Sequence, residues 1–242
     1  MNEMQKRYEK EIEELALASN RLAQLGYVAS HGGNLSYRVE EDIILITPTK
    51  VAKRKVNFDN ICIIKLNGEV LFASKGVKPT GETPLHTHIF KKRPDINALV
   101  HAHPPTLTGF AIAHSDLLTK AILPEPVLEL GPVLSIRYEE PLTDKLAYAI
   151  EEVIDRTNAF LMENHGVMVM SYDGAERALD LLEMLEAMAM SILVANQLGN
   201  IAYIPDYELK NLDNVCKTRN LPCPGKPGKF LSILDAYKIP SE

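Results

Sequence analysis

Two histidines separated by a single residue are the first feature of this sequence that could do chemistry. His101 and His103 follow the apolar residues Ala98, Leu99 and Val100, which are typical of a buried strand. Side chains two residues apart on a strand project from the same face, about 7 Å apart at the backbone, so the two imidazoles could bind one metal ion. Imidazole suits zinc, copper, iron or nickel. Taken alone, the pair has an equally good alternative, in which one histidine is hydrogen-bonded in the core and the other is exposed.

His165 is the candidate for a third ligand. It lies in an Asn-His-Gly turn between two apolar runs, 159–163 and 167–171. A catalytic zinc site keeps three protein ligands and leaves one position for water or substrate, which three histidines would satisfy. A single histidine in such a turn can also be purely structural, and this alternative stays open here.

A second His-x-His pair, His86 and His88, is interpreted differently. Residues 83–92 have a helical pattern, and side chains two positions apart on a helix do not face each other. We therefore expect this pair either to be unrelated to metal binding or to support the site from a second layer.

A carboxylate and two polar loops could complete a site around such an ion. Glu82 precedes the helix predicted over 83–92, where it could act as a general base or simply favour the helix N-terminus. Gly-Gly-Asn at 32–34 and Thr-Pro-Thr-Lys at 47–50 offer backbone N–H groups, hydroxyls and a cation that suit an anion such as phosphate. Gly-Gly-Asn is also an ordinary turn sequence.

Composition limits the classes of protein to which these residues can belong. Of the 242 residues, 46% are hydrophobic and 24% charged, which predicts a packed fold, by default a single domain over 1–242. The formal net charge of -6 argues against nucleic-acid binding. The basic run at Lys50, Lys53, Arg54 and Lys55 is interpreted as a solvated loop. A charged N-terminus and the lack of about 20 consecutive apolar residues predict a cytoplasmic protein without membrane contact.

The hydrophobic patterns predict mixed helices and strands, with a sheet that is at least partly antiparallel because Asn67-Gly68 marks a hairpin. Helices are predicted over 3–25, 83–92, 105–113, 142–156 and 175–198. Strands are predicted over 43–47, 61–66, 70–73, 97–103, 159–163 and 167–171. Residues 205–242, rich in proline, glycine and lysine, are expected to form a surface tail or lid.

Five short motifs, in their order along the chain, resemble the class II aldolase/adducin family. They are Gly33-Asn34-Leu35-Ser36, Ile46-Thr47-Pro48-Thr49, Lys78-Pro79-Thr80-Gly81-Glu82, Val100-His101-Ala102-His103 and Asn164-His165-Gly166. The resemblance covers about residues 5–200. It implies a three-layer α/β/α fold with a central, largely antiparallel sheet. It also implies assembly as a homotetramer with active sites at subunit interfaces.

For the site, the resemblance implies that three histidines bind one divalent metal per subunit, zinc or another transition metal, and that Glu82 is the acid/base. The implied metal ligands are His101, His103 and His165. A phosphorylated sugar is expected as the substrate, and the implied binding residues are Gly33, Asn34, Thr49, Lys50, Thr80 and Gly81.

Glutamate at position 82 is similar to the aldolases of the family. The implied reaction is therefore retro-aldol cleavage of a ketose 1-phosphate to dihydroxyacetone phosphate and an aldehyde, through a metal-stabilised enediolate. A same-family epimerase, dehydratase or decarboxylase using the same metal site is the alternative. A non-catalytic, adducin-like interaction domain is a further one.

Two departures from the family motifs leave parts of the site open. Family phosphate loops often read Pro-Ser-Ser-Glu and Thr-Pro-Thr-Gly, so Gly81 removes a hydroxyl here and Lys50 adds a cation. The segment 119–129 also lacks the tyrosine that assists the aldehyde side in the fuculose-phosphate type. The candidates for a second proton donor are Glu125 and Tyr237.

Overall fold

A mixed eight-stranded sheet forms the middle layer of residues 2–238, the part of the chain that the computed structural model describes. The strands are β1 (Asn34–Glu40), β2 (Ile43–Ile46), β3 (Cys62–Lys65), β4 (Val70–Phe72), β5 (Ala98–Ala102), β6 (Leu134–Ile136), β7 (Ala159–Met162) and β8 (Gly166–Ser171). Their order is β4-β3-β2-β1-β5-β8-β7-β6, and each neighbouring pair is antiparallel except β6 and β7. The predicted central, largely antiparallel sheet is confirmed.

Helices cover both faces of this sheet. They are α1 (Glu3–Arg7), α2 (Glu9–Gln24), α3 (Thr83–Lys92), α4 (Pro105–Ala113), α5 (Pro124–Glu129), α6 (Asp144–Ala149), α7 (Ala175–Leu198), α8 (Asp206–Arg219) and α9 (Ile233–Tyr237). Strand side chains alternate between the faces. Leu45 and Val100 pack in the core formed with α2, α4 and α7, whereas Ile44 and Leu99 pack in the core formed with α3 and α6. The three-layer α/β/α architecture is therefore confirmed.

Most elements lie close to their predicted bounds, but two predicted helices are wrong in extent. The helix predicted over 3–25 is divided at Tyr8, whose backbone leaves the helical region (φ -115°, ψ 31°). The helix predicted over 142–156 is reduced to α6 and a short 3₁₀ turn, Ile150–Glu152. Leu142 has a left-handed backbone (φ 67°), so a helix cannot begin at this residue.

Helix α7 packs an apolar stripe into the core. Leu182, Leu185, Met188 and Ile192 are buried between the sheet and the neighbouring helices. None of the helices in residues 2–238 combines the length and the apolar character that a membrane crossing requires.

The segment expected to form a surface tail or lid, 205–242, folds into α8 and α9, and its last four residues lie outside the described part of the chain. Leu209 and Cys216 of α8 and Ile233 of α9 form a small apolar cluster with Val127 of α5. The described tail is thus packed on the body of the protein rather than extended. Its role as a lid stays a prediction.

A fully buried arginine joins the body to this tail. Arg93 donates hydrogen bonds to the carboxylate of Asp95 at 2.7 and 3.0 Å. It also donates to the backbone carbonyls of Ile154, Thr157 and Gly225 at 2.9, 3.0 and 3.0 Å. These acceptors compensate for the water that the guanidinium loses on burial.

We predict that Arg93→Met lowers the free energy of unfolding by about 3–5 kcal/mol, because Asp95 loses its buried partner while the side-chain volume is nearly kept. Chemical denaturation measures this change. Arg54→Met, at an exposed arginine, is the matched control and should change the free energy by less than about 0.5 kcal/mol. Equal stability of the two variants would contradict this role of Arg93.

Candidate functional site

Three imidazoles converge at one end of the central strands. His101 lies on β5, His103 lies just beyond the end of that strand, and His165 lies in the turn between β7 and β8. One ligand nitrogen from each residue lies within 4.8 Å of the other two. The structure therefore brings together all three histidines singled out in the sequence.

The pairing of β5 with β8 fixes the tautomer of His101. Its Nδ1–H donates to the carbonyl oxygen of Val167 at 2.9 Å. In the neutral ring this bond leaves the lone pair on Nε2, and that atom lies 3.1 Å from Nε2 of His103. A hydrogen bond from the outer imidazole nitrogen to a carbonyl is the usual way in which proteins orient a metal-binding histidine.

The position of His165 depends on close backbone approach at Gly166. Asn164 takes a left-handed conformation (φ 54°) in the turn, which Asn tolerates better than most residues. A Cβ atom on Gly166 would lie 2.5 Å from the carbonyl oxygen of Ala102 and 2.5 Å from Cδ2 of His103. Glycine is therefore required because the turn contacts the end of β5, not because the backbone needs a positive φ.

The donor set fits a divalent transition metal. Burial lowers the pKa of His103 to about 3 and that of His165 to about 4, so both rings are neutral near pH 7, which is the form that binds metals. Nδ1 of His165 is buried without a hydrogen-bond partner among the described residues. Zn–N bonds of ~2.0–2.1 Å require a tighter cluster than 4.8 Å, so binding would draw the three rings together.

Glu82 faces this cluster from the N-terminal end of α3. Its carboxylate oxygens lie 3.5 Å from Nε2 of His101 and 3.5 Å from Nε2 of His165. Glu82 is the N-cap residue of α3, but its side chain makes no capping hydrogen bond to that helix. Burial raises the pKa of Glu82, but the field of His101 and a hydrogen bond from Asn34 outweigh this effect and lower the pKa to about 2.

A chain of hydrogen bonds orients Glu82. Buried Ser36 lies 2.6 Å from Nδ1 of His86, whose pKa is lowered to about 3 by burial. With Nδ1 accepting from Ser36, Nε2–H of the neutral ring donates to Oδ1 of Asn34. This bond turns the Asn34 amide so that Nδ2 donates to Glu82 at 2.9 Å. His86 thus supports the carboxylate from a second layer, whereas His88 pairs with Glu151 away from the cluster.

A cavity of about 330 Å³ opens in front of the cluster. All the residues expected to bind phosphate line it, namely Gly33, Asn34, Thr49, Lys50, Thr80 and Gly81. Two of the loops pair through their backbones, because Thr49 N–H donates to Lys78 and Thr80 N–H donates to Thr47, at 2.9 and 3.0 Å. Their free polar groups can therefore act on one ligand.

Neither candidate for a second proton donor lines this cavity. Glu125 is exposed at the start of α5. Tyr237 is half-buried against the α5, α8 and α9 cluster. Both assignments therefore stay predictions.

Sequence reasoning did not assign three of the cavity-lining residues to the site. Lys53, interpreted above as part of a solvated run, is 1% exposed, so that interpretation is wrong for this residue. His31 lines the cavity beside the glycines. Leu142, with its left-handed backbone, contacts Gly81 so closely that a Cβ atom on Gly81 would lie 2.8 Å from Cδ2 of Leu142. Where family phosphate loops often carry a serine, this chain thus has Gly81, which packs against Leu142.

Comparison with known proteins decides the family. The sequence profile of the "Class II Aldolase and Adducin N-terminal domain" matches residues 13–193. The chain belongs to the class II aldolase/adducin family. Its α/β fold and its histidine cluster are those expected for a metal-dependent member of this family.

Relatives of this family member differ in the reactions for which they are named. The chain is 30% identical over 192 residues to the 3-oxo-tetronate 4-phosphate decarboxylase of Haemophilus influenzae, covering 78% of this chain and 89% of that protein. It is 30% identical over 207 residues to the 5-deoxy-D-ribulose 1-phosphate aldolase of Bacillus thuringiensis, covering 84% and 94%. The solved structure of YgbL from Klebsiella pneumoniae superposes with a TM-score of 0.76 at 28% identity, covering 84% of this chain and 98% of that one.

We predict that His103→Ala lowers the zinc affinity by more than about 100-fold, because one of three ligands is lost. Glu82→Gln should retain one zinc per chain. Metal content after zinc loading and dialysis measures both effects. His88→Ala is the matched control, since it removes a histidine of the second His-x-His pair that lies away from the cluster. Full zinc occupancy in His103→Ala would refute the proposed ligand set.

Proposed function

We propose that this class II aldolase/adducin family member is a zinc-dependent lyase that cleaves a ketose 1-phosphate into dihydroxyacetone phosphate and an aldehyde. The observation that carries the proposal is the position of Glu82, 3.5 Å from the ring nitrogens of both His101 and His165. A carboxylate beside an open three-histidine centre can exchange a proton with a substrate carbon held at that centre.

The expected reaction is a retro-aldol cleavage. A zinc ion held by the three imidazoles would act as a Lewis acid that stabilises the enediolate of the substrate. As the C3–C4 bond breaks, its electron pair passes into the enediolate at C3, and the C4 hydroxyl gives its proton to the Glu82 carboxylate as the aldehyde forms. Protonation of C3 then yields dihydroxyacetone phosphate.

Glu82 is suited to the proton transfer at C3. Its low pKa makes it a carboxylate near pH 7, so it starts the cycle as a proton acceptor. The hydrogen bond from Asn34 holds one of its oxygens, and the chain through His86 and Ser36 holds Asn34 in turn. The carboxylate is thereby kept in one orientation while it receives the proton and returns it to carbon.

Decarboxylation of a 3-oxo sugar-acid phosphate is the second candidate reaction. Loss of carbon dioxide from such an acid would leave the same enediolate, but the departing group needs no acid or base. Glu125 and Tyr237 both lie outside the cavity of the described chain, which favours a leaving group of this kind. The 30% identity to the Haemophilus influenzae decarboxylase also supports it.

Assembly as a homotetramer with active sites at subunit interfaces is part of the proposal. It is supported by a cluster of exposed apolar residues on the C-terminal half of α7. They are Met190, Leu193, Val194 and Leu198. A contiguous apolar face on a surface helix is typical of a subunit contact.

We predict that the zinc-loaded protein condenses dihydroxyacetone phosphate with at least one aldehyde from a panel of short and hydroxylated aldehydes. Glu82→Gln should lower kcat by about 100- to 10,000-fold, because it removes the proton transfer. Chromatography of the phosphorylated products measures the yield. Release of carbon dioxide from 3-oxo-tetronate 4-phosphate, without a condensation product from any aldehyde, would overturn the aldolase assignment in favour of the second candidate.

A further inference from the structure

Lys53 is a lysine that the fold buries beside the cavity. It begins a short 3₁₀ turn, Lys53–Lys55, and its backbone carbonyl accepts a hydrogen bond from Ser19 of α2 at 3.3 Å. The Lys53 side chain is buried, while Arg54 and Lys55 remain exposed. The residue is 1% exposed and lines the cavity wall.

The ammonium group of Lys53 connects two of the cavity loops. Its Nζ donates to the carbonyl oxygen of His31 at 3.1 Å and to that of Val51 at 3.3 Å. An ammonium has three N–H donors, and these bonds use two of them. Among residues 2–238, no hydrogen bond uses the third.

No ion pair balances the charge of Lys53 in the described chain. No carboxylate of residues 2–238 lies within 4.0 Å of Nζ. The carboxylate of Glu82, which lies farther away, raises the pKa of Lys53 through its electrostatic field. Burial lowers the pKa of Lys53 to about 8, which still leaves the group largely protonated near pH 7. A buried cation without a paired anion is costly, so proteins retain one mainly where a ligand supplies the anion.

The loops that Lys53 joins are those whose polar groups line the same cavity. His31 precedes Gly33 and Asn34, and Val51 follows Thr49 and Lys50. Lys50 is exposed at the cavity mouth, with a left-handed backbone (φ 58°) that glycine would adopt with less strain. One cation thus lies at the mouth of the cavity and the other is buried in its wall.

We propose that Lys53 binds the phosphate group of the substrate, donating its third N–H to a phosphate oxygen and supplying a buried positive charge in addition to the exposed charge of Lys50. This inference rests on the proposed function, because it takes a phosphorylated sugar as the substrate. Lys53 is then a specificity-determining residue: it selects substrates that carry a tetrahedral oxyanion at the end remote from the bond that breaks.

Calorimetric titration of the zinc-loaded protein with inorganic phosphate and with dihydroxyacetone phosphate tests this role. Lys53→Gln removes the charge but keeps N–H donors for the loop carbonyls, and it should weaken both ligands by at least about 10-fold. Lys55→Met, which removes an exposed lysine of the same run, is the matched control and should bind both ligands as the wild type does. In turnover, KM should rise in Lys53→Gln while kcat stays within a few-fold.

Two further measurements separate phosphate binding from other roles of Lys53. Zinc content and melting temperature should match the wild type, and the affinity for unphosphorylated dihydroxyacetone should be unchanged. Unaltered phosphate affinity in Lys53→Gln would overturn the proposal. So would an equal loss of affinity for dihydroxyacetone, which carries no phosphate. A loss of affinity only for glycolate, which carries a carboxylate, would overturn it as well. Because phosphate binding is measured without turnover, a protein that binds phosphate through Lys53 but forms no aldol product would contradict the proposed reaction instead.

Discussion

Strand β5 is hydrogen-bonded along both edges, and the rest of the candidate site depends on this pairing. Asn34 of β1 lies opposite His101, and Val167 of β8 lies opposite Ala102. The carbonyl of Val167 also accepts the Nδ1–H of His101. A slip of one residue in either register would turn His101 toward the opposite face and separate it from Asn34 and Glu82. Antiparallel pairing thus sets the geometry of the site before any ligand binds.

Burial around the end of β5 affects the protonation states of the polar side chains there. The imidazoles of His103 and His165 lose water and stay neutral, so their lone pairs are available to a metal ion. Glu82 is more deeply buried but remains a carboxylate, because the field of His101 and a hydrogen bond from Asn34 outweigh the effect of burial on its pKa. Lys53 lines the same cavity as a buried cation that no carboxylate of the described chain pairs with directly. The cavity therefore combines neutral imidazoles, a carboxylate and a buried ammonium group.

The sequence predicts much of this arrangement, because its signals are local. Period-two and helical patterns identify the long helices and all strands of the sheet except β1 and β6, and the motifs around Glu82, His101 and His165 keep the chemical groups close to recognisable turns. The burial of Lys53 could not be predicted, because nothing in the sequence of this basic run indicates which of its side chains packs inward. The backbone carbonyl of Lys53 contacts Ser19, 34 residues away, so the surroundings of Lys53 include residues distant in the sequence. The helix predicted over 142–156 was too long, because the sequence does not reveal the left-handed backbone of Leu142.

X-ray absorption spectroscopy at the zinc edge of the zinc-loaded protein tests the central claim most directly. The account predicts three imidazole nitrogens at ~2.0–2.1 Å, from His101, His103 and His165, with the remaining coordination supplied by oxygen. His103→Ala, if it retains any zinc, should show two imidazoles. A sulfur shell at ~2.3 Å, or fewer than three imidazoles in the wild type, would contradict the proposed metal centre.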